Sequence, residues 1–373
     1  MDNKISKEKI KILHVIGTLQ IGGAENTAMN CFRFIDRDKY SVDYLVYDNE
    51  NSPYTKEVIE LGGRVIRKNV LHNRVYLQKV LMDVMKDYGP YDIVHSHLMF
   101  HNGYVMRAAK RCNIKKRISM AHSTSDGRCK LSILSFIYRT YMRSIIRRNA
   151  TQYLACGKKS GEYLYGKKFF AKKGSIIKNR IDVKKFAYNK EMQVSLRKQL
   201  NMDNEVVFLI VGHLIPLKNH LFAFQVFKAI KNEIPKSKII VLGDGDEKNK
   251  LEEWVAQNNL NTDIIFCGNV KNVNEYMIAA DFLFMPSLYE GFPVTLVEAQ
   301  SAGLMCFVSD HITKEIKLTN LVRFISIDEG IDPWVREIKR CLHYTRENKI
   351  DAIINQNYDL SDLGDELERL YQI

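Results

Sequence analysis

Asp281-Phe-Leu-Phe-Met285-Pro-Ser-Leu-Tyr-Glu290-Gly-Phe-Pro-Val-Thr-Leu-Val-Glu298-Ala299 is the stretch on which the fold turns. It reads as a short apolar strand, a loop and the first turn of a helix. Pro293 suits that first turn, because its fixed φ matches a helix and its missing N–H loses no partner there. Gly303 suits the far end, since a left-handed residue closes many helices. The early turn offers unpaired N–H groups at Val294, Thr295 and Leu296, at the positive end of the helix dipole. That is an anion site made of backbone. Glu290 precedes it and Glu298 lies within the helix, so two carboxylates flank the anion. Acids placed there suit hydroxyl groups, and a nucleotide sugar has hydroxyls on both sides of its diphosphate.

Outward from this stretch the chain alternates strand and helix. The first series of strands is expected at Lys11–Ile16, Val42–Tyr47, Arg64–Ile66, Asp92–His95 and Arg117–Ser119. A second series follows at Val206–Val211, Lys238–Leu242, Ile264–Phe266, Phe282–Met285 and Met305–Val308. Such alternation predicts two parallel sheets with helices on both faces, joined near the polar stretch Phe186–Glu191. Doubly wound sheets bind ligands at the carboxyl ends of their strands, so the chemistry belongs in the loops that follow them.

Composition agrees with two ordinary globular domains. The chain has 373 residues, 46% hydrophobic and 27% charged. Seven scattered cysteines, at 31, 112, 129, 156, 267, 306 and 341, form no Cys-x-x-Cys pair, which favours reduced thiols. The beginning, Met1-Asp-Asn-Lys-Ile-Ser-Lys-Glu-Lys9, lacks an apolar core, and no apolar run reaches the ~18 residues that span a bilayer. The expected location is the cytoplasm, peripheral on the inner face of the membrane. The net charge of +13 is concentrated: Arg107–Arg180 holds 20 Lys and Arg against only Asp126 and Glu162. One basic zone implies an anionic partner for it.

The motif Glu290-Gly291-Phe292-Pro293…Glu298-Ala299, two acids separated by seven residues, closely resembles the signature of family 4 retaining glycosyltransferases with the GT-B fold. The resemblance implies two Rossmann-like α/β domains facing across a cleft. On that basis residues 1–186, with a terminal helix at about 357–373 crossing back, form an acceptor domain, and residues 187–356 form a donor domain. In the family the first acid, here Glu290, faces the donor sugar and the second, Glu298, holds the ribose. Gly291, Phe292 and the helix start at Val294 would line the same donor site.

Other loops extend the likeness. Gly22 and Gly23 follow the first strand and resemble the family's Gly-Gly-Ala-Glu loop, while a Gly-x-Gly-x-x-Gly fingerprint is absent. His122 matches the position that contacts the donor sugar; His95 and His97 either support the cleft or are structural. Lys218 matches a lysine that clamps the diphosphate, and His213 stands where the family has arginine. An imidazole cannot fork onto two oxygens as a guanidinium does. Gly243 opens a turn near the nucleotide, and Asp244 and Asp246 within it read as turn residues, so no metal or other cofactor is expected. Asn269 and Val270 would meet the base through backbone. Asn179 lies in a loop matching Asn-Gly-Ile-Asp, except that Arg180 replaces glycine.

Within the basic zone, Leu134, Ile137, Tyr138, Tyr141, Met142, Ile145 and Ile146 recur at helical steps beside a row of Arg139, Arg143 and Arg147. This suits either docking on an anionic membrane or a core-facing helix with a solvated basic face. The whole-chain pattern, including Ser309–Glu315, looks like bacterial enzymes of capsular or exopolysaccharide assembly. The expected activity is therefore transfer of a hexose or N-acetylhexosamine from a nucleotide sugar, UDP-linked, to a saccharide or undecaprenyl-linked acceptor. Lys218, Glu290 and His122 would act at the reaction centre. Two alternatives are a sugar-nucleotide epimerase of the same fold and a basic nucleic-acid-binding protein. The second is disfavoured because aromatics do not interleave with the basic residues, so no nucleic-acid partner is expected.

Overall fold

Two parallel sheets organise the chain, as the alternation implies. The computed structural model describes residues 8–20, 22–49, 51–68, 74–124 and 133–373. Residues 1–7, Cys129, and Asp126, Arg128 and Lys130 of the basic zone lie outside these. The first sheet has seven strands: β1 (Ile10–Val15), β2 (Tyr40–Val46), β3 (Arg64–Arg67), β4 (Ile93–Ser96), β5 (Lys116–Ala121), β6 (Gln152–Ala155) and β7 (Gly174–Ile176). Their spatial order is β3-β2-β1-β4-β5-β6-β7. The second sheet has six: β8 (Val206–Val211), β9 (Ser237–Leu242), β10 (Ile264–Gly268), β11 (Phe282–Met285), β12 (Met305–Ser309) and β13 (Val322–Ile325). Its order is β10-β9-β8-β11-β12-β13. Each sheet reverses direction once, between β1 and β4 and between β8 and β11. The central strands are mostly apolar and buried because helices cover both faces, with His14 on β1 and His95 on β4 as buried exceptions. In the second sheet Phe208 stacks on Phe282 and Phe284 at 5.3 and 4.7 Å.

The chain divides into one unit of Met1–Asn179 with Ser361–Ile373 and another of Arg180–Leu360. The break falls at Asn179, not at the polar stretch after Phe186. Ile181 already bridges to Asp359, and the turn Val183–Phe186 buries Val183 and Phe186 in the second unit. The last helix, Leu363–Tyr371, belongs to the first unit and packs on the helix Gly23–Phe34.

The helix Ile133–Asn149 does not follow a single reading along its whole length. Met142, Ile145 and Ile146 are buried, while Ile133, Leu134, Phe136, Ile137 and Tyr141 are exposed. The arginine row is not a free basic face. Arg143 donates to the carbonyls of Leu164 (3.1 Å) and Tyr163 (2.8 Å), and Arg147 to that of Tyr165 (2.9 Å). They satisfy the carbonyls that the helix Lys158–Tyr165 leaves open at its end. Among the described residues no helix is long and apolar enough to cross a membrane, and the six described cysteines form no disulfide.

Candidate active site

In the second unit, the loops after β8 and β11 meet where the strand order reverses. Lys218 lies in a short turn after β8, and its Nζ is 2.6 Å from Glu290 Oε1. Ser287 donates to the same carboxylate oxygen at 2.8 Å. Backbone knits the loops as well, since Leu288 N–H donates to Leu217 O at 2.9 Å. The lysine lies over Gly212, whose φ of +151° and lack of a side chain leave room for its stem. Both members of the pair are mostly shielded, with side-chain exposures of 21% and 14%. The carboxylate thus holds the Lys218 ammonium in place at the rim of the sheet.

The helix Val294–Ser301 begins beside it, with Pro293 as its cap at φ −74°. Leu296 was expected to offer a free N–H, and it does not. Its N–H donates to Pro293 O at 3.0 Å, a tightened first turn, and its side chain is fully buried. Val294 and Thr295 N–H have no acceptor among the described residues. Gly303 closes the helix at φ +69°. Glu298 lies one turn in, on the face of Val294 and Thr295. Its side chain keeps some solvent access, but its surroundings are poorly polarisable. Burial raises its carboxyl from 4.5 to about 7, with Lys185 pulling the other way.

The remaining second-unit positions sit at strand ends. Gly243 follows β9 at φ +140°, and a Cβ there would lie 2.0 Å from Gly212 O, so the two loops approach as only glycine allows. Asp244 accepts from Gly245 N–H at 2.8 Å, closing its own turn. His213 is exposed, Asn269 and Val270 follow β10, and Gly291 leads to Phe292, which stacks on Tyr358 at 5.6 Å. One residue escaped the sequence reading. His220 is buried beside Lys218 and Ser287 around a cavity of about 10 Å³. Burial first, then Lys218, lowers its pKa to about 4. A histidine next to a helix start carries no sequence signal that separates it from a core residue.

In the first unit Gly22 caps the helix Gly23–Phe34, and Thr27 links that helix to Asn179. Thr27 Oγ1 is 2.8 Å from Gly23 O and 3.0 Å from Asn179 Oδ1. Arg180, in place of the family glycine, is buried, and its Nη1 donates to Asp359 O at 3.3 Å. His122 follows β5, and its Nε2 is 2.8 Å from His97 Nδ1. His95 and His97 are buried, and burial lowers both pKa values well below the usual imidazole range. For His122 burial lowers it to about 4. The sequence candidates thus gather in two sets, one in each unit.

Comparison with known proteins fits both halves. A model described as Glycosyltransferase Family 4 matches residues 21–185, and one described as Glycosyl transferases group 1 matches residues 192–353. EpsF of Bacillus subtilis, named as a glycosyltransferase, is 32% identical over 344 residues, covering 88% of this chain and 87% of its own. The Escherichia coli UDP-Gal:alpha-D-GlcNAc-diphosphoundecaprenol alpha-1,3-galactosyltransferase is 26% identical over 391 residues, covering 99% and 98%. The crystal structure of Anabaena HepE with UDP and glucose superposes with a TM-score of 0.78 at 17% identity, over 98% of this chain and 100% of that one. The signature around Glu290, the paired parallel sheets and these matches agree: the chain belongs to the family 4 glycosyltransferases of the GT-B fold.

Proposed function

We propose that this glycosyltransferase is retaining and metal-independent. It moves a hexose or N-acetylhexosamine from a UDP-sugar to a lipid-linked saccharide in cell-surface polysaccharide assembly. The observation that supports this best is the 2.6 Å Lys218–Glu290 pair beside the open N–H groups of Val294 and Thr295. When the sugar leaves, negative charge develops on the diphosphate. An ammonium and two aligned N–H groups meet that charge without a metal. As the diphosphate takes over Lys218, Glu290 is freed to accept from sugar hydroxyls. Glu298 accepts from the ribose, and His122 contacts the sugar. The bond from the anomeric carbon to the phosphate oxygen breaks, and one to the acceptor oxygen forms on the same face. The acceptor's proton passes to the departing phosphate oxygen.

The name of the E. coli relative, with its UDP-galactose donor and diphosphoundecaprenol acceptor, supports the choice of donor and of a lipid-linked acceptor. A lipid acceptor favours work at a membrane. The surface suited to it is the exposed tip of the helix Ile133–Asn149, where Leu134 is 78% and Phe136 67% exposed within the basic zone. Such a tip suits the anionic inner face of the cytoplasmic membrane. Thermal unfolding with a panel of UDP- and GDP-sugars tests the donor. At 100 times its dissociation constant the true donor adds about 2.7 kcal/mol of apparent stability. Stabilisation by GDP-sugars alone, or by none of the panel, refutes the assignment.

A further inference from the structure

Glu290 is held by one of its two oxygens. Lys218 Nζ at 2.6 Å and the Ser287 hydroxyl at 2.8 Å both donate to Oε1. Oε2 has no donor among the described residues, and it is not one of their buried unpaired atoms, so solvent reaches it. The carboxylate therefore has a held side and an open side.

The two donors differ in how they can move. An ammonium on a flexible four-carbon stem turns to another anion without any shift of its backbone. Ser287 has one χ angle and is 1% exposed, so its hydroxyl stays where the backbone puts it. That backbone is tied on both sides to the turn that carries Lys218. Asn219, left-handed at φ +55°, donates from Nδ2 to Pro286 O at 3.2 Å, and Leu288 N–H donates to Leu217 O at 2.9 Å. The residues flanking Ser287 are thus bonded to those flanking Lys218. His220, buried alongside, takes neither role. Burial, then Lys218, lowers its pKa to about 4, so the ring is uncharged at neutral pH, and neither ring nitrogen bonds to the carboxylate.

A diphosphate carries more negative charge than a carboxylate and competes with it for the ammonium. Once Lys218 turns to the diphosphate, Glu290 keeps its charge with one donor fewer, while its side chain is only 14% exposed. An ionised group left short of donors in such a place is costly, and it is free to rotate away. Ser287 is the protein donor that remains.

We propose that Ser287 is a positioning residue: its hydroxyl keeps Oε1 of Glu290 in place after Lys218 has passed to the diphosphate, and so aims Oε2 at a hydroxyl of the donor sugar. This rests on the donor-site roles given to Lys218 and Glu290 above. The two carboxylate oxygens then have separate duties, one facing the loop and one facing the substrate.

A crystal structure of the full-length protein with UDP tests this without turnover. The expected complex has Lys218 Nζ on a phosphate oxygen and Ser287 Oγ still within about 3.2 Å of Glu290 Oε1. A Glu290 that leaves Ser287 when Lys218 leaves overturns the proposal. UDP bound away from Lys218 sinks the functional reading, and the proposal falls with it. Kinetics supply the second arm. Ser287→Ala is expected to lower turnover of the UDP-sugar about tenfold, since a hydrogen bond to a charged group is lost. Water replaces the hydroxyl on the open carboxylate when no sugar is bound, so UDP affinity should stay within about threefold. Ser287→Thr, which keeps the hydroxyl, should bring turnover back to within about threefold of wild type. Equal losses of turnover and UDP affinity in Ser287→Ala would mark a merely structural residue and overturn the proposal, as would turnover within twofold of wild type.

Discussion

Glu298 titrates where few carboxylates do, and its environment explains why. Burial raises its pKa from 4.5 to about 7, so the folded protein holds a proton that the unfolded chain has released. The stability this group contributes is present below about pH 4.5 and is lost as pH rises through 7. In the proposed role Glu298 accepts from ribose hydroxyls, which bind the ionised carboxylate more strongly, so nucleotide binding should draw the proton off. UDP affinity, measured by calorimetry, is expected to rise roughly tenfold between pH 6 and pH 8 relative to Glu298→Gln, which lacks the titration. Parallel profiles for the two proteins would remove Glu298 from the ribose. Its place was legible in sequence because Glu290, Pro293 and Glu298 share one contiguous stretch. His14 was not legible, because a histidine inside an apolar strand looks like core until register sets it opposite His95.

At the scale of the element, the helix Ile133–Asn149 separates two roles along its length. Its second half is structural, with Arg143 and Arg147 closing the carbonyl end of a neighbouring helix. Truncating either to alanine should cost about 1–3 kcal/mol in urea unfolding, since buried acceptors lose their donors. Its exposed first half should behave oppositely. Leu134→Glu with Ile137→Glu is expected to leave stability within about 0.5 kcal/mol and to release the protein from anionic liposomes in a flotation assay. Undiminished flotation would mean that this tip does not touch lipid. The apolar period placed the helix correctly, but it cannot tell which turns of a stripe are covered. Cover comes from elements distant in sequence. Strands tell a similar story: the long apolar runs of β1, β8 and β9 were legible, whereas β6, β7 and β13, of three or four residues, were missed. Length alone is not the reason, since β4 and β11, also of four residues, stood out by their Ile, Val and Phe, whereas β6 and β7 mix in Gln, Gly and Ser and read as loop.

For the whole molecule, two sheets of the same winding each bring candidate site residues to strand ends at or next to a reversal of order. Lys218 and Glu290 gather in one, His97 and His122 in the other. The division at Asn179 was misplaced from sequence because polarity marks exposure, while the true break follows a buried bridge between Ile181 and Asp359. The central claim is transfer with retention, driven by Lys218 and the helix start at Val294 without a metal. It is tested most directly by ¹H NMR of UDP-α-hexoses and UDP-α-N-acetylhexosamines turned over in EDTA. The account predicts that the anomer first formed is α, and that Lys218→Met slows its appearance by about 10²–10³. A β anomer as first product, or activity that disappears in EDTA and returns with Mn²⁺, would contradict it.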